Sequence, residues 1–285
     1  MTFPHSSIRR YFSEDVLERI KSGFKFLIDK IIKSGFEYDL QIRNNYFNLY
    51  YKGNSLAKVT PKVKEMYEVR INKKFFLGTT AAKDRRFTEN QYKRGDYICL
   101  KIPNNHLHPL FQNKYLKEFC SCIKKVGFQE ETIFEQMIMT DNANRSDFVI
   151  IDRQIIDKTD NTRLDLLSLV QINGNDYQFY PIEVKLGNNN DLKEDVIEQL
   201  RGYVKRIKDN FGDYKTCYEL NIKQKQELGL MNNSLKINIV DGVFGLIVVG
   251  AYSKIADKQI RELKQKAPEL KVIQLNNSVN LKKAI

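Results

Sequence analysis

The sequence predicts an α/β protein in two parts, a basic α+β domain over residues 1–128 followed by a mixed α/β domain over residues 129–285. Three observations predict it. Apolar residues recur at helical spacing in some segments and at strand spacing in others. The balance of charge changes at Phe128. The second half contains two long apolar runs, LDLLSLVQI and VFGLIVVG, which show little alternation, as strands buried on both faces require.

The first half begins with a predicted helix over residues 14–33, where apolar side chains recur at helical spacing and Ser34-Gly35 ends the pattern. A strand meander follows, because short β-rich segments alternate with turns that contain asparagine, glycine or proline. The predicted elements after the helix are four strands within 37–77, a loop over the basic stretch 78–96, a strand over 97–102 and a helix near 112–126.

The second half predicts a helix, three strands, a helix, a strand, a helix and a strand. Pro181 falls inside a strand that the pattern makes central, which predicts a bend or bulge just before Glu183. The predicted elements are a helix over 129–141, strands at 146–152, 164–172 and 177–186, a helix over 192–208, a strand over 243–252, a helix over 255–266 and a strand over 271–275.

The basic surplus lies entirely in the first half. The chain has a net charge of +12; residues 1–128 contain 25 Lys+Arg against 12 Asp+Glu, whereas residues 129–285 contain 22 against 23. Such a surface attracts phosphate-rich partners, although a membrane surface or a merely solubilising role fits the charge equally well. The predicted contacts to nucleic acid lie in the basic stretch, where no core-forming period appears: Lys83, Arg85, Arg86, Lys93 and Arg94. The competing interpretation is that this half binds a protein partner.

The chain shows no apolar run long enough to span a bilayer and no secretory signal at its N-terminus, so we expect a soluble, cytoplasmic protein without a membrane partner. Four cysteines lack the spacing of a disulfide framework and are expected to be reduced thiols.

Glu183-Val184-Lys185 is the first motif that suggests chemistry. Residues two apart on a strand point the same way, so Glu183 and Lys185 share a face. If the preceding hairpin reverses around 173–176, with Ile172 facing Asp176, then Asp165 faces Glu183 across the two strands. Two carboxylates and a lysine then converge on one spot.

Two adjacent carboxylates repel each other, and a hard divalent cation relieves that repulsion. A lysine beside such a cation can orient the attacking water and offset the charge of a scissile phosphate. The pattern therefore suggests metal-dependent phosphodiester hydrolysis. The alternative is a surface ion pair of Glu183 with Lys185 and an unrelated Asp165.

A helix follows with Gln199 and Tyr203 four residues apart on one face. With this helix, the chain resembles the PD-(D/E)XK nuclease superfamily in its RecB-like branch, over residues 129–276. Asp165, the ExK of Glu183 and Lys185, and the QxxxY of Gln199 and Tyr203 carry the resemblance.

The resemblance implies a PD-(D/E)XK-like mixed sheet flanked by helices, and a deoxyribonuclease that uses Mg²⁺ or Mn²⁺. It implies catalytic roles for Asp165, Glu183, Lys185, Gln199 and Tyr203. The implied metal ligands are the side chains of Asp165 and Glu183, the Val184 carbonyl and an acidic residue on the preceding helix, for which Glu135 is the choice and Glu131 the fallback.

The sequence departs from that family in two ways. Leu164 stands where the proline of the motif belongs, and the glycine often seen nearby in RecB-like members is missing. Some RecB-like nucleases add a four-cysteine iron–sulfur cluster, which is not expected here because Cys217 is the single cysteine beyond QxxxY. A binding protein on a catalytically silent copy of the fold is the alternative function. A binding role would not require Glu183 and Lys185 together.

Two further patterns have simple structural interpretations. His106-x-His108 and Cys120-x-Cys122 lack zinc-finger spacing, which makes a zinc site improbable. The aromatic run at 46–51 could stack bases, but aromatic residues on a strand meander are more often core.

Overall fold

The computed structural model of the chain describes residues 8–126, 130–156, 162–187, 192, 194–250 and 256–275. Contacts divide the chain into two compact units, and two of the three boundaries between them fall within helices. Unit 1 comprises Met1–Ile133 with Lys215–Lys236, and unit 2 comprises Phe134–Tyr214 with Ile237–Ile285. This division differs from the predicted boundary at 128 because a helical segment from the second half packs with the first.

Unit 1 contains a six-stranded antiparallel sheet in the order β1-β2-β3-β4-β6-β5. The predicted meander and the strand at 97–102 are therefore present. Its strands are β1 (Tyr38–Arg43), β2 (Tyr46–Tyr51), β3 (Asn54–Pro61), β4 (Met66–Asn72), β5 (Gln91–Arg94) and β6 (Tyr97–Pro103).

Short and long helices cover one face of this sheet. They are α1 (Glu14–Gly23), α2 (Lys25–Lys33), α3 (Lys73–Phe76), the 3-10 turn η1 (Thr80–Lys83), α4 (Arg85–Thr88), α5 (Asn104–Leu110) and α6 (Asn113–Val126). The single helix predicted over 14–33 is wrong. The chain breaks at Phe24, whose ring is fully buried against Phe47 and Tyr67, with ring centroids 5.1 and 5.3 Å away.

The loop predicted over 78–96 is also wrong. This stretch forms η1, α4 and the edge strand β5, which pairs with β6. Ala81 and Phe87 are buried and anchor it, and Asp84 caps α4 by accepting a hydrogen bond from the Arg86 N–H. Two widely spaced apolar anchors give no detectable period, which explains the error.

Unit 2 has a mixed sheet in the order β12-β11-β9-β8-β7, and β10 also pairs with β9. Strands β7 to β9 are antiparallel, whereas β10 and β11 run parallel to β9. The mixed α/β class predicted for this half is confirmed. The strands are β7 (Phe148–Ile156), β8 (Arg163–Asn173), β9 (Asp176–Leu186), β10 (Asn238–Val243), β11 (Leu246–Gly250) and β12 (Lys271–Gln274).

The helices of the second half are α7 (Glu130–Asp141), α8 (Glu194–Asp209), α9 (Phe211–Glu227) and α10 (Asp257–Lys266). The sequence prediction missed α9, whose apolar residues do not form one stripe. Where it belongs to unit 1, its polar side chains bind backbone: Gln224 accepts from the Phe12 N–H at 2.8 Å and donates to the Phe12 carbonyl at 2.8 Å.

Within the described residues, no helix is long and apolar enough to cross a membrane.

The bulge predicted before Glu183 is absent. Pro181 pairs regularly with Leu167 of β8. On the other side of β9, β10 pairs as far as Phe179 and β11 begins its pairing at Ile182. Pro181 therefore lies where the neighbouring strand changes, and its missing N–H interrupts no continuous ladder on that side.

Gly250 lets α7 approach the sheet closely. A Cβ at this position would overlap the ring of Phe134 on α7. Phe134 belongs to the buried cluster formed with Leu166 and Val184 of β8 and β9. The absence of a side chain at Gly250 therefore fixes the distance between α7 and the strands.

We expect Gly250→Ala to destabilise the protein by about 1–3 kcal/mol, because the added methyl overpacks a buried ring. The measurement is thermal unfolding by circular dichroism. Gly202→Ala on α8 is the matched control, since a Cβ there meets nothing within 4 Å, and alanine in a helix is neutral or stabilising. Equal melting temperatures for the Gly250→Ala variant and the parent would contradict the packing described for α7.

Candidate metal and catalytic site

The β8–β9 hairpin brings Asp165 and Glu183 to facing positions. Leu166 pairs with Ile182, and the register is constant from there to Gln171 opposite Tyr177. At the turn, Asn173 rather than Ile172 faces Asp176, and an irregularity between Gln171 and Asn173 restores the register that places Asp165 across from Glu183.

The two carboxylates are buried together. Asp165 is 6% exposed and Glu183 is fully buried. Oδ2 of Asp165 accepts a hydrogen bond of 2.9 Å from the Val184 N–H, which fixes this carboxylate against β9. Burial, followed by the negative charge of Asp165, raises the pKa of Glu183 well above its usual range.

Neither carboxylate oxygen of Glu183 accepts a hydrogen bond from any of the described residues. Lys185 Nζ lies 3.5 Å from Oε2, which is an ion-pair distance rather than a well-formed hydrogen bond. The Lys185 side chain is itself mostly buried. A buried carboxylate in this condition is costly unless a cation or a proton satisfies it.

Glu135 of α7 lies on the other side of Asp165. Its carboxylate is buried, and burial together with the charge of Asp165 raises its pKa to about 7. The fallback residue Glu131 is half-exposed instead. Asp165 therefore acts electrostatically on two buried glutamates, one on each side.

Two residues that the sequence prediction missed hold Glu135. Arg153 is fully buried with Nη2 3.2 Å from Glu135 Oε2, and Gln154 Nε2 donates to the same oxygen at 2.7 Å. Gln154 has a φ of 52°, an uncommon conformation for a non-glycine residue, and the pairing of its neighbours places it across from Asp165. The sequence signal that could have identified this part of the site is the pair of adjacent charges, Asp152-Arg153, within an apolar strand.

Gln199 and Tyr203 of α8 contact the start of β8. Gln199 Nε2 donates to the Arg163 carbonyl at 3.0 Å, and the Tyr203 hydroxyl donates to Thr162 Oγ1 at 2.9 Å. The two acceptor residues, Arg163 and Thr162, lie within three positions of Asp165 in the sequence. The helix is thereby fixed to the strand that carries Asp165, and neither bond is to a carboxylate of the site.

The potential ligand atoms of this site suit a hard divalent cation, because they are carboxylate oxygens with few hydrogen-bond donors around them. Asp165 and Glu183 face each other and could bind it, with Glu135 nearby. No group of three or more Asp, Glu, His or Cys residues in the described part of the chain is arranged so that all could bind one ion. Two side-chain ligands with backbone and water oxygens remain compatible with Mg²⁺.

The residues predicted to contact nucleic acid lie in unit 1, on different elements. Lys83 ends η1, Arg85 and Arg86 lie in α4, and Lys93 and Arg94 lie in the edge strand β5. All five are exposed. Arg86 is engaged by Asp84, with Nη2 2.6 Å from Oδ2.

The histidines and cysteines considered for zinc have other contacts. The His106 ring bonds with the Arg86 carbonyl at 3.2 Å, and His108 packs edge-on against Phe26. Cys120 Sγ lies 3.2 Å from the Tyr38 hydroxyl. All four cysteines are free thiols.

A scan against protein-family models and a search of curated proteins give no match. A search of solved structures matches the chain to a crystal structure of a repair endonuclease from Pyrococcus abyssi. The two are 14% identical, and the match covers 84% of this chain and 77% of that chain with a TM-score of 0.28. A similarity at this level establishes neither fold nor activity.

We expect Asp165→Asn to stabilise the protein in EDTA. The amide can still accept the Val184 N–H, while the substitution removes the negative charge that opposes ionisation of two buried glutamates. A gain of about 1 kcal/mol raises the melting temperature by roughly 2–4 °C for a chain of this size.

Asp147→Asn is the matched control, because Asp147 is an exposed residue paired with Arg145 at 2.6 Å, and such pairs contribute about 0–1 kcal/mol. A melting temperature of Asp165→Asn at or below that of the parent protein would contradict the mutual repulsion described here.

Proposed function

We propose that this protein is a divalent-metal-dependent nuclease that hydrolyses phosphodiester bonds in DNA. The observation that carries the proposal is the fully buried Glu183, facing Asp165 and beside Lys185, with no hydrogen bond to either carboxylate oxygen among the described residues. A solvated surface ion pair would also place Glu183 beside Lys185, but its carboxylate would be exposed and hydrogen-bonded to water. The similarity of D…ExK…QxxxY to PD-(D/E)XK nucleases supports the same assignment.

In this proposal Mg²⁺ or Mn²⁺ would be held by Asp165, Glu183 and the Val184 carbonyl. Glu135 would complete the metal shell. When bound, the ion supplies Lewis-acid stabilisation of phosphate oxygens and lowers the pKa of a water. Lys185, whose Nζ lies 3.5 Å from Glu183 Oε2, offsets the charge that develops on the phosphate. Its ammonium also orients the attacking water toward the phosphorus.

The remaining residues position this group. Arg153 and Gln154 hold the Glu135 carboxylate from β7. Gln199 and Tyr203 fix α8 to the start of β8. The geometry of the site therefore depends on three strands and two helices.

The activity test uses supercoiled circular DNA, linear duplex, single-stranded DNA and RNA, each with Mg²⁺, Mn²⁺ or EDTA. We expect DNA cleavage with either metal and none in EDTA. Degradation of circles would identify an endonuclease, whereas degradation of linear DNA alone would identify an end-dependent exonuclease.

We expect Asp165→Asn, Glu183→Gln and Lys185→Ala each to lower kcat by about 10²-fold or more, and the losses to be strongly non-additive, because the residues act as one unit. Lys205→Ala on α8 is the control, since this exposed lysine pairs with Asp209 of the same helix. Full activity of the folded Lys185→Ala protein, or cleavage that persists in EDTA, would reject the proposal.

A further inference from the structure

The sheet of unit 1 has two unlike faces. Val59, Val69 and Leu100 on β3, β4 and β6 are fully buried in the apolar cluster beneath the helices. Side chains alternate along a strand, so the neighbouring residues point the other way. Lys58 and Arg70 are paired with each other on that second face.

The second face continues across the next two strands. Glu68 of β4 pairs with Lys101 of β6, which places this lysine beside it. Tyr92 of β5 pairs with Cys99, and Arg94 pairs with Tyr97. Asn48 of β2 pairs with Lys58, so Tyr46, two residues along β2, lies on the same side. We define the basic sheet face by seven cationic and aromatic residues on this side: Tyr46, Lys58, Arg70, Tyr92, Arg94, Tyr97 and Lys101.

Two cations contact aromatic rings on the basic sheet face. Lys58 Nζ lies 3.5 Å from the centroid of the Tyr46 ring, and Lys101 Nζ lies 5.3 Å from that of Tyr92. Tyr97 is 48% exposed. This combination offers ring surfaces for bases and ammonium or guanidinium groups for the phosphates between them.

Cationic residues outnumber acidic residues on the part of the basic sheet face that β3 to β6 form. Glu68 is the one acidic residue in β3, β4, β5 and β6. It is engaged by Arg70 at 2.5 Å and by the Tyr92 hydroxyl at 2.7 Å. Burial and the nearby charge of Arg70 lower the pKa of Lys58 to about 8. A bound anion would relieve this crowding.

We propose that the basic sheet face binds a single strand of nucleic acid, with the phosphates on its cations and the bases on its tyrosine rings. A single strand fits because its bases can turn their faces to the rings, whereas paired bases are stacked within the duplex. The inference rests on the proposed function only in that both take nucleic acid as the ligand.

Two pairs of exposed cationic residues provide a matched comparison. Arg94 and Lys101 are exposed and lie on the basic sheet face, while Lys114 and Lys117 are exposed and lie on α6. Arg94→Ala/Lys101→Ala and Lys114→Ala/Lys117→Ala each remove two positive charges from the full-length chain. They differ in whether the charges lie on the sheet face.

The experiment measures fluorescence anisotropy of a labelled single-stranded DNA in EDTA at several salt concentrations. We expect Arg94→Ala/Lys101→Ala to bind roughly 10- to 25-fold more weakly at 0.1 M salt and to lower the salt slope by about 1.4, because each phosphate contact on a single strand contributes about 0.7. The Lys114→Ala/Lys117→Ala protein should bind nearly as the parent does.

Tyr97→Ala is the second variant, and it separates stacking from charge. We expect about tenfold weaker binding with an unchanged salt slope. Thermal unfolding checks that every variant is folded, and a labelled duplex of the same sequence should bind more weakly than the single strand.

Equal losses in the two charge variants, or parent-like binding by the sheet-face variant, would overturn the inference. Binding in EDTA is independent of cleavage. If the protein cleaves DNA but these substitutions leave its binding unchanged, only this inference is overturned. If it binds through the basic sheet face but does not cleave, only the proposed function is overturned.

Discussion

The mutual repulsion of buried carboxylates is the constraint on which the rest of unit 2 depends. Asp165 raises the pKa of Glu183 on one side and of Glu135 on the other, in each case after burial itself. Proteins do not bury such a group without compensation, because desolvation disfavours every one of the charges. This unfavourable burial is the observation that supports the proposed metal site.

The surrounding fold holds this unfavourable arrangement in place. The β8–β9 ladder fixes Asp165 against Glu183, and the Val184 N–H binds the Asp165 carboxylate. Arg153 and Gln154 restrain Glu135. Gln154 does so from a strained backbone conformation with a positive φ. The stability that supports this strain comes from the apolar cluster on which Phe134 of α7 packs.

Local patterns predicted the parts of the structure that depend on local sequence. The hairpin register followed from alternation and turn position, so the facing of Asp165 and Glu183 was predictable, even though a bulge and not the turn alone sets the register. Tertiary effects were not predictable. The break at Phe24 comes from core packing, and Arg153 is recognisable as a partner of Glu135 only once α7 and β7 are adjacent. The second face of the unit 1 sheet likewise needs the pairing of β3 to β6, which the loop predicted at 78–96 obscured.

Calorimetric titration of the full-length protein with Mn²⁺ tests the central claim most directly, since it requires no substrate. We predict saturable binding of Mn²⁺ at submillimolar concentration, accompanied by release of protons, because burial and the charge of Asp165 raise the pKa of Glu183 and a carboxylate must be deprotonated to bind a metal. The same titration of the Asp165→Asn protein should show at least tenfold weaker binding. Mn²⁺ binding that is absent in the parent protein, or unchanged in Asp165→Asn, would contradict the claim that these carboxylates form a metal site.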